Sequence, residues 1–323
     1  MMVKIKWLLW VVICQVYWLA VSASGQGCMA VRGSGHCPGL MHADLKPTAL
    51  ASTASVWQVS LGYRWFKSDR HFVGDNERHL PRYRVVENRS SFYDIGLHRT
   101  LSDRLSVALT VPFVYSQRRA SYEHDNVHRY ATHASGLADV RITGYVWLFD
   151  PRSRPRGNIR IGAGPKFPTG DYDVQDTFHS PTGRVRRAVD QSIQPGDGGY
   201  GFTVEALGVL QLTPSFSGYM QGFYLFNPEE ENGVRTDIVT DNPYFRTMSI
   251  TDQYMARAGI AFKRPPDGGL AAELGLRLEG IPHEDVLGGN EGFRRPGYTV
   301  SVEPGINLTY GACEISFSLP VAI

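Results

Sequence analysis

The feature that most constrains this chain is a recurrent alternation of apolar and polar residues, in segments separated by turn residues. The last segment shows it most clearly, because it alternates Cys313, Ile315, Phe317, Leu319 and Val321 with Glu314, Ser316, Ser318 and Pro320. A period of two indicates a β-strand with one face against an apolar medium and the other against a polar one. A series of such strands predicts an all-β, antiparallel transmembrane β-barrel with lipid outside and polar side chains inside.

Eleven segments of this kind follow one another from Trp57 to the end of the chain. The connections after the odd-numbered segments are long and polar, and those after the even-numbered segments are short. Short periplasmic turns and long extracellular loops are typical of outer-membrane barrels, whereas a soluble β-sandwich, the alternative, has no reason for this asymmetry. We predict a barrel of about twelve strands over residues 54–323, because bacterial barrels have even strand numbers. The twelfth strand comes from residues 40–53, from a different division of the segments, or is missing here.

The N-terminus is typical of a secretion signal over residues 1–23. Lys4 and Lys6 precede an apolar stretch from Trp7 to Ala20, and Val21-Ser22-Ala23 is a small-residue cleavage site. A single transmembrane anchor is the alternative, although the apolar run is short for a span. We therefore expect export to the bacterial outer membrane.

Residues 24–53 are expected to form a periplasmic segment. Cys28 and Cys37 lie close together in a Gly-rich stretch of a chain predicted to be exported, so they are candidates for a disulfide. The alternative is a copper site, because the soft and imidazole ligands Met29, His36, Met41 and His42 surround the pair. We favour the disulfide and expect no cofactor.

The charge balance limits the classes of partner. Lys and Arg number 33, Asp and Glu number 31, and the net charge is +2 without a long basic run. Nucleic acid is therefore excluded as an expected partner. The expected partners are outer-membrane lipid, lipopolysaccharide, a small-molecule solute and the barrel-assembly machinery.

Charged residues on the polar faces of the segments are candidate pore-lining groups. An isolated cation facing lipid costs roughly 2–4 kcal/mol at the midplane, so these residues have to point inwards. The candidates are Arg64, Asp94, Asp139, Arg141, Arg160, Lys166, Glu205, Arg257, Glu273, Arg277, Glu279 and Glu303. They could neutralise one another and leave a narrow pore or none. Alternatively, they form an eyelet with cations on one wall and anions on the other, or flank a hydrophobic path with a lateral opening.

Other side chains are expected at the two ends of the barrel. Interface girdle residues are predicted at strand ends, with ordinary packing as the alternative, namely Trp57, Tyr63, Trp65, Tyr115 and Trp147. The third long loop, residues 169–199, carries Arg184, Arg186 and Arg187, and it either folds into the lumen as a constriction or contacts lipopolysaccharide. The segment 216–226 is apolar on both faces, so the sequence does not orient it.

The sequence does not predict an enzyme. It has no Gly-x-Ser-x-Gly or His-Glu-x-x-His motif. Glu273 and Glu279 share a face with Arg277, which favours ion pairing over acid–base chemistry. An outer-membrane lipase or acyltransferase stays an alternative. The loop histidines His124, His128 and His133 are either solvated residues or a surface metal site.

Four short stretches carry a family resemblance. They are Gly136-Leu137-Ala138-Asp139-Val140, Gly164-Pro165-Lys166-Phe167-Pro168-Thr169-Gly170, Gln194-Pro195-Gly196-Asp197-Gly198-Gly199 and Ser318-Leu319-Pro320-Val321. Together they resemble a family of outer-membrane transporters named for the meta pathway of phenol degradation, over about residues 54–321. The resemblance implies a barrel that passively moves small hydrophobic, including aromatic, molecules. A non-transporting structural or surface-binding barrel is the alternative function.

Overall fold

The computed structural model describes residues 57–73, 76–236, 246–263, 269–310 and 313–323. The predicted signal peptide, the periplasmic segment and the Cys28–Cys37 pair lie outside these ranges. Regular structure in the described part is almost entirely β, with one short 3-10 helix at Gln191–Ile193. No helix among the described residues is long and apolar enough to cross a membrane.

Nineteen strands follow one another in the part of the chain that the structure describes. They are β1 (Trp57–Ser68), β2 (Phe72–Val73), β3 (Asn76–Glu77), β4 (Glu87–Thr100), β5 (Leu105–Ala120), β6 (Tyr130–Leu137), β7 (Val140–Trp147), β8 (Gly157–Phe167), β9 (Gln175–Ser180), β10 (Gly183–Ala188), β11 (Gly201–Gln211), β12 (Phe216–Phe226), β13 (Glu231–Arg235), β14 (Thr247–Ser249), β15 (Gln253–Lys263), β16 (Leu270–Ile281), β17 (Gly297–Tyr310), β18 (Cys313–Ser318) and β19 (Val321–Ala322). The pairs β2–β3, β9–β10 and β13–β14 form small separate sheets.

One large antiparallel sheet forms the wall, in the order β1-β4-β5-β7-β8-β11-β12-β15-β16-β17-β18. β6 continues the position of β7, because both pair with β5, and β19 continues that of β18, because both pair with β17. The eleven positions correspond to the eleven predicted segments, which confirms the strand assignment. In the described pairings, β1 and β18 each have one neighbouring strand, so they are the two edges of the sheet. The eleven positions are one fewer than the twelve expected of a closed barrel.

The two faces of the wall are inside out relative to a water-soluble protein. On β16, the side chains of Leu274 and Leu276 are 60% and 58% exposed, whereas Glu273 and Arg277 are 7% and 5% exposed. Leucines at alternate positions therefore point outwards and charged residues point inwards. The same alternation runs through β1, β4, β7, β8 and β15. This pattern is expected only where the outer medium is apolar.

The connections differ in length at the two ends of the sheet, as predicted. At one end, here called the loop end, residues 69–86, 121–129, 168–200, 227–252 and 282–296 link the wall strands. At the other, the turn end, the links at 101–104 and 212–215 are short, and the link at 148–156 is as long as the shortest link of the loop end, 121–129. In outer-membrane barrels, the longer loops lie on the extracellular side.

The structure settles the orientation of β12 and of Trp147. β12, which the sequence left unoriented, turns Tyr219, Phe223 and Leu225 inwards and Met220 outwards. Trp147, predicted to lie in the interface girdle, is instead buried on the inward face. The girdle prediction for Trp147 is wrong because its alternation places it in phase with Arg141 and Tyr145, and Arg160 stacks over its ring at 5.5 Å.

Glycines on the inward face accommodate tyrosine rings. Gly259 on β15 and Gly275 on β16 are directly opposite each other. A Cβ at either position would overlap the hydroxyl of Tyr219. The phenol of Tyr219 therefore lies across two neighbouring strands, which fills part of the interior with side chain.

Candidate functional site

All twelve candidate residues lie on the inward side of the wall, and the structure brings many of them together. Nine are buried, and Arg64, Asp94 and Glu279 are half-buried. Within a low-dielectric wall, each charge needs an opposite charge or hydrogen bonds, because an unpaired buried ion costs several kcal/mol. The partners of these residues therefore decide what the interior can do.

Five of the twelve form one connected chain of ion pairs, here called the lumen network. Glu303 forms ion pairs with Arg257 and Arg277, at 3.6 Å each. Arg277 Nη2 also donates to Glu279 at 2.8 Å, and Glu279 lies 3.7 Å from Arg64. Arg257 ends the chain by donating to Gln221 at 2.7 Å.

Glu303 is the central anion of this network. Arg257 and Arg277 are direct cross-strand partners, a like-charge arrangement that destabilises a sheet by itself. The Glu303 carboxylate lies between them and also accepts from Ser318 Oγ at 3.0 Å. Two buried guanidinium groups therefore share one buried carboxylate, and Arg277 also pairs with Glu279.

The contact between Arg64 and Glu279 shows how strongly the sheet curls. Arg64 belongs to β1, at one end of the strand order, and Glu279 to β16, eight positions further along it. A pair between such distant strands requires the wall to bend around a common interior. Cations and anions alternate along the network and do not occupy opposite walls.

A second group of candidates surrounds Tyr145. The Tyr145 hydroxyl donates to Glu205 at 3.1 Å, and the guanidinium of Arg160 stacks over the tyrosine ring at 4.8 Å. Arg141, on the same strand as Tyr145, lies over the Phe223 ring at 5.5 Å. The interior therefore combines charged groups with aromatic faces, which stabilise cations through their π-electrons.

Three of the family-like motifs converge at the loop end, in what is here called the motif junction. Lys166 forms ion pairs with Asp197, at short distance, and with Asp139 at 3.5 Å. Asp139 accepts backbone hydrogen bonds from Gly170 and Asp197 at 3.1 and 3.2 Å. The aspartate of the first motif, the lysine of the second and the aspartate of the third thus form one buried cluster.

The remaining motif residues hold the chain at this junction. Thr169 Oγ1 donates to the Ala138 carbonyl at 3.0 Å and accepts from the Val140 amide at 2.9 Å, bridging the break between β6 and β7. Gly170 and Gly196 pack backbone against backbone, so that a Cβ at either would overlap the other. The motifs therefore attach the 168–200 loop to the wall.

The 168–200 loop also reaches the other side of the loop end. Its Ser192 accepts from Asn88 at 3.1 Å, on β4, while its Asp190 pairs with Arg118 at 3.6 Å and with Arg295. The Gln191 amide donates to the Ser249 carbonyl. The loop is thus bound to β4, β5 and two other loops, and it crosses the mouth, where the sequence analysis left its position open.

Asp190 is the charge on which these contacts depend. Burial acts to raise the pKa of this loop carboxyl, but Arg118 and Arg295 outweigh it and hold the pKa well below its usual range. Because the folded-state pKa is lowered, these ion pairs stabilise the loop above the unfolded-state pKa. Their contribution is lost only as the pH falls through the folded value.

Arg118 is a site residue that the sequence analysis missed. It is buried and, besides Asp190, donates to Glu123 at 2.8 Å and to Asn88 at 3.0 Å. It lies on the inward face of β5, four residues beyond Val114 and two beyond Ser116. The alternation of β5 continues to Arg118, so the sequence pattern alone places this arginine on the inward face.

His124 and His128 belong to an aromatic cluster in the loop, whereas His133, expected in the same loop, lies on β6. His124 stacks on Phe178 at 5.1 Å, and Tyr130 stacks on His179 at 4.0 Å. Burial is the main reason that the pKa of His124 is lowered. Among the described residues, no group of three or more His, Cys, Asp or Glu side chains is placed to hold a metal ion.

The fold is similar to that of a protein of known structure. A crystal structure of an outer-membrane channel from Pseudomonas putida F1 matches with a TM-score of 0.55 and 14% sequence identity, covering 86% of this chain and 92% of that chain. No protein-family model matches the chain, and no curated protein matches it. At this identity the likeness concerns the fold, and it supports the inside-out wall as that of an outer-membrane barrel.

Proposed function

We propose that the chain is an outer-membrane channel for passive movement of small molecules. The observation that carries this proposal is the inverted burial of the wall, with leucines outside and a network of charged residues inside. The structural likeness to an outer-membrane channel supports the same function. The protein would reach this membrane by the signal peptide proposed for residues 1–23.

Unsatisfied polar atoms inside the wall support a path that contains water. Tyr219 Oη and Arg257 Nη2 are buried without a hydrogen-bond partner among the described residues. Each such atom costs about 1–3 kcal/mol if it stays unsatisfied. Solvent or a polar solute in the turn-end half of the interior would provide the missing partners.

Apolar patches support a preference for small hydrophobic or aromatic solutes. Phe223, Leu225 and Met255 form one buried cluster on the inward face, and Leu207, Val209 and Tyr219 form another. A flat apolar solute would contact these patches while the nearby guanidinium groups faced its ring. The resemblance to transporters named for phenol degradation motivates the same substrate class.

Because the 168–200 loop lies across the mouth of the barrel, we expect the channel to conduct only when this loop moves aside. Asp190→Asn removes the carboxylate that holds Arg118 and Arg295, so the loop should open more often. We expect single-channel recordings in planar bilayers to show at least a threefold rise in open probability over the wild type. The matched control is Asp173→Asn, an exposed aspartate of the same loop, which should behave as wild type.

The same recordings, with solute uptake by proteoliposomes, test the function itself. Absence of both conductance and small-solute uptake in wild type and in D190N would contradict the channel and favour a structural or surface-binding barrel. Phospholipid turnover by the pure protein would instead indicate an outer-membrane enzyme.

Arg141 offers a test of whether solutes pass the interior charges. Arg141 takes part in none of the ion pairs of the lumen network, and its Nη1 atom has no hydrogen-bond partner in the described residues, so neutralising it breaks none of those pairs. We expect Arg141→Gln to shift the reversal potential in a KCl gradient towards cation selectivity. Arg154→Gln, at an exposed turn, should leave it unchanged. An unchanged reversal potential in R141Q would show that ions do not pass this residue.

A further inference from the structure

The outward face of the first strands carries cations at the loop end. Lys67 on β1 is directly opposite Arg89 on β4, Arg89 is opposite Gln117 on β5, and Gln117 is opposite His133 on β6. These residues form a single cross-strand row. Arg119 on β5 lies outwards one step beyond it, opposite Glu87.

Aromatic side chains lie immediately below this row on the same face. The next outward row contains Trp65, Ser91 and Tyr115, and the row after that contains Tyr63, Tyr93 and Phe113. Leu61, Ile95 and Val111 follow. Because tryptophan and tyrosine mark the headgroup level of a membrane, the cations lie at the level of lipid headgroups.

The length of β4 supports this placement. Arg89 and Arg99 are both on its outward face, ten residues apart. Ten residues span about 33 Å along a strand, and a strand tilt of about 40° reduces this to about 25 Å along the membrane normal, the height of the apolar band. The two arginines therefore lie at the two membrane interfaces, Arg89 at the loop end and Arg99 at the turn end.

The carboxylates near this row only partly neutralise it. Lys67 pairs with Asp69 at 2.6 Å, and Arg89 pairs with Glu87 at 2.5 Å. Arg129 also approaches Glu87, at 3.9 Å. Glu87 thus faces three arginines, namely Arg89, Arg119 and Arg129. Lys67 and Arg89, as like charges directly opposite each other, repel, and a bound anion would relieve that repulsion.

The other side of the wall has a different character at the same level. There Phe202 and Phe226 stack at 4.7 Å on the outward face, and Tyr200 is exposed. The chain that follows Phe226 continues with Glu229, Glu230 and Glu231. The cationic row is therefore a property of the β1–β5 side and not a general feature of the rim.

We propose that Lys67, Arg89 and Arg119 form a binding site for the phosphate groups of lipid A, the phosphorylated glycolipid anchor of lipopolysaccharide. The acyl chains would lie on the apolar wall below, over Leu61, Ile95 and Val111. Charged groups of the saccharide above would meet Arg184 and Arg186, which are exposed on the β9–β10 hairpin next to β6. The loop end, as the extracellular side, is where this lipid resides; the proposal does not depend on transport.

The test is lipid binding by the full-length protein in detergent, measured by native mass spectrometry with lipid A as the probe. A cation at a membrane surface contributes about fivefold in affinity, and two of these three are partly neutralised. We therefore expect the triple variant K67Q/R89Q/R119Q to bind lipid A at least tenfold more weakly. Wild-type binding should also weaken as salt increases.

Three controls make the result specific. Arg99→Gln removes an outward arginine from the same strand at the opposite interface and should bind as wild type. Lipid A lacking its phosphates should bind wild type at least tenfold more weakly, and phosphatidylglycerol should bind more weakly than lipid A. If the triple variant does not fold, R119Q alone should show a loss of about threefold or more. Equal binding of lipid A by wild type and folded variant would overturn the site, and equal binding of phosphatidylglycerol would overturn lipid A as its ligand.

Discussion

Leu276→Arg is expected to lower the free energy of unfolding in a phospholipid bilayer by about 2–4 kcal/mol. Leu276 lies near the middle of β16, on the outward face, between the outward Ala258 of β15 and Val302 of β17. An arginine there would face the hydrocarbon core, where no partner is available. Urea titration of the protein in vesicles, followed by tryptophan fluorescence, measures the change.

The same substitution discriminates between the two media that the outer face could meet. In a water-soluble protein, replacing an exposed leucine by arginine changes stability by no more than about 0.5 kcal/mol. Val286→Arg is the matched control, because Val286 is similarly exposed, at 63%, but lies in the 282–296 loop. A change in L276R as small as that in V286R would show that the wall is not embedded in lipid.

Glu303→Gln is expected to destabilise the barrel by about 3–5 kcal/mol, because it leaves Arg257 and Arg277 buried side by side without their shared carboxylate. Glutamine keeps the shape of the side chain and can still accept from Ser318, so the loss measures charge and not packing. The measurement is again urea unfolding in vesicles. Glu284→Gln, an exposed carboxylate of the 282–296 loop, should change stability by less than about 0.5 kcal/mol.

A second substitution tests the cause of this loss. If uncompensated positive charge is responsible, Arg257→Gln in the E303Q background should recover part of the stability, giving a favourable coupling in a double-mutant cycle. A variant E303Q as stable as wild type would mean that the lumen network does not hold the wall together. Additive losses in the double variant would indicate that the two residues act independently.

The strand pattern was largely readable from the sequence. Each of the eleven predicted segments became a wall strand, and the facing of Glu273 and Arg277 against Leu274 and Leu276 followed from the alternation. In β12, apolar residues occupy both odd and even positions, so the sequence does not show which face points inwards. The inward position of Tyr219 and Phe223 was therefore not predictable. The girdle prediction for Trp147 is wrong because tryptophan is typical of membrane interfaces, whereas the alternation of β7 points this residue inwards.

Charge partners were not readable in the same way. That Arg257 would be opposite Arg277 requires the register between two strands, and that Arg64 would meet Glu279 requires the curvature of the whole wall. The position of the 168–200 loop depends on contacts with Asn88, Arg118 and Arg295, which lie about 75 to 105 residues away from its own Asp190 and Ser192 in the chain. Such contacts leave no periodic signal.

Which way each side chain points is a local matter: successive residues of an extended chain project to opposite sides, so the order of residues alone assigns leucine to lipid and charge to the interior. Which charges neutralise one another, and whether the mouth is covered, depends on how strands far apart in the chain are brought together when the sheet bends. Electrostatic pairing acts over a few ångströms in space, and distance in space between remote segments is set only by the folded arrangement.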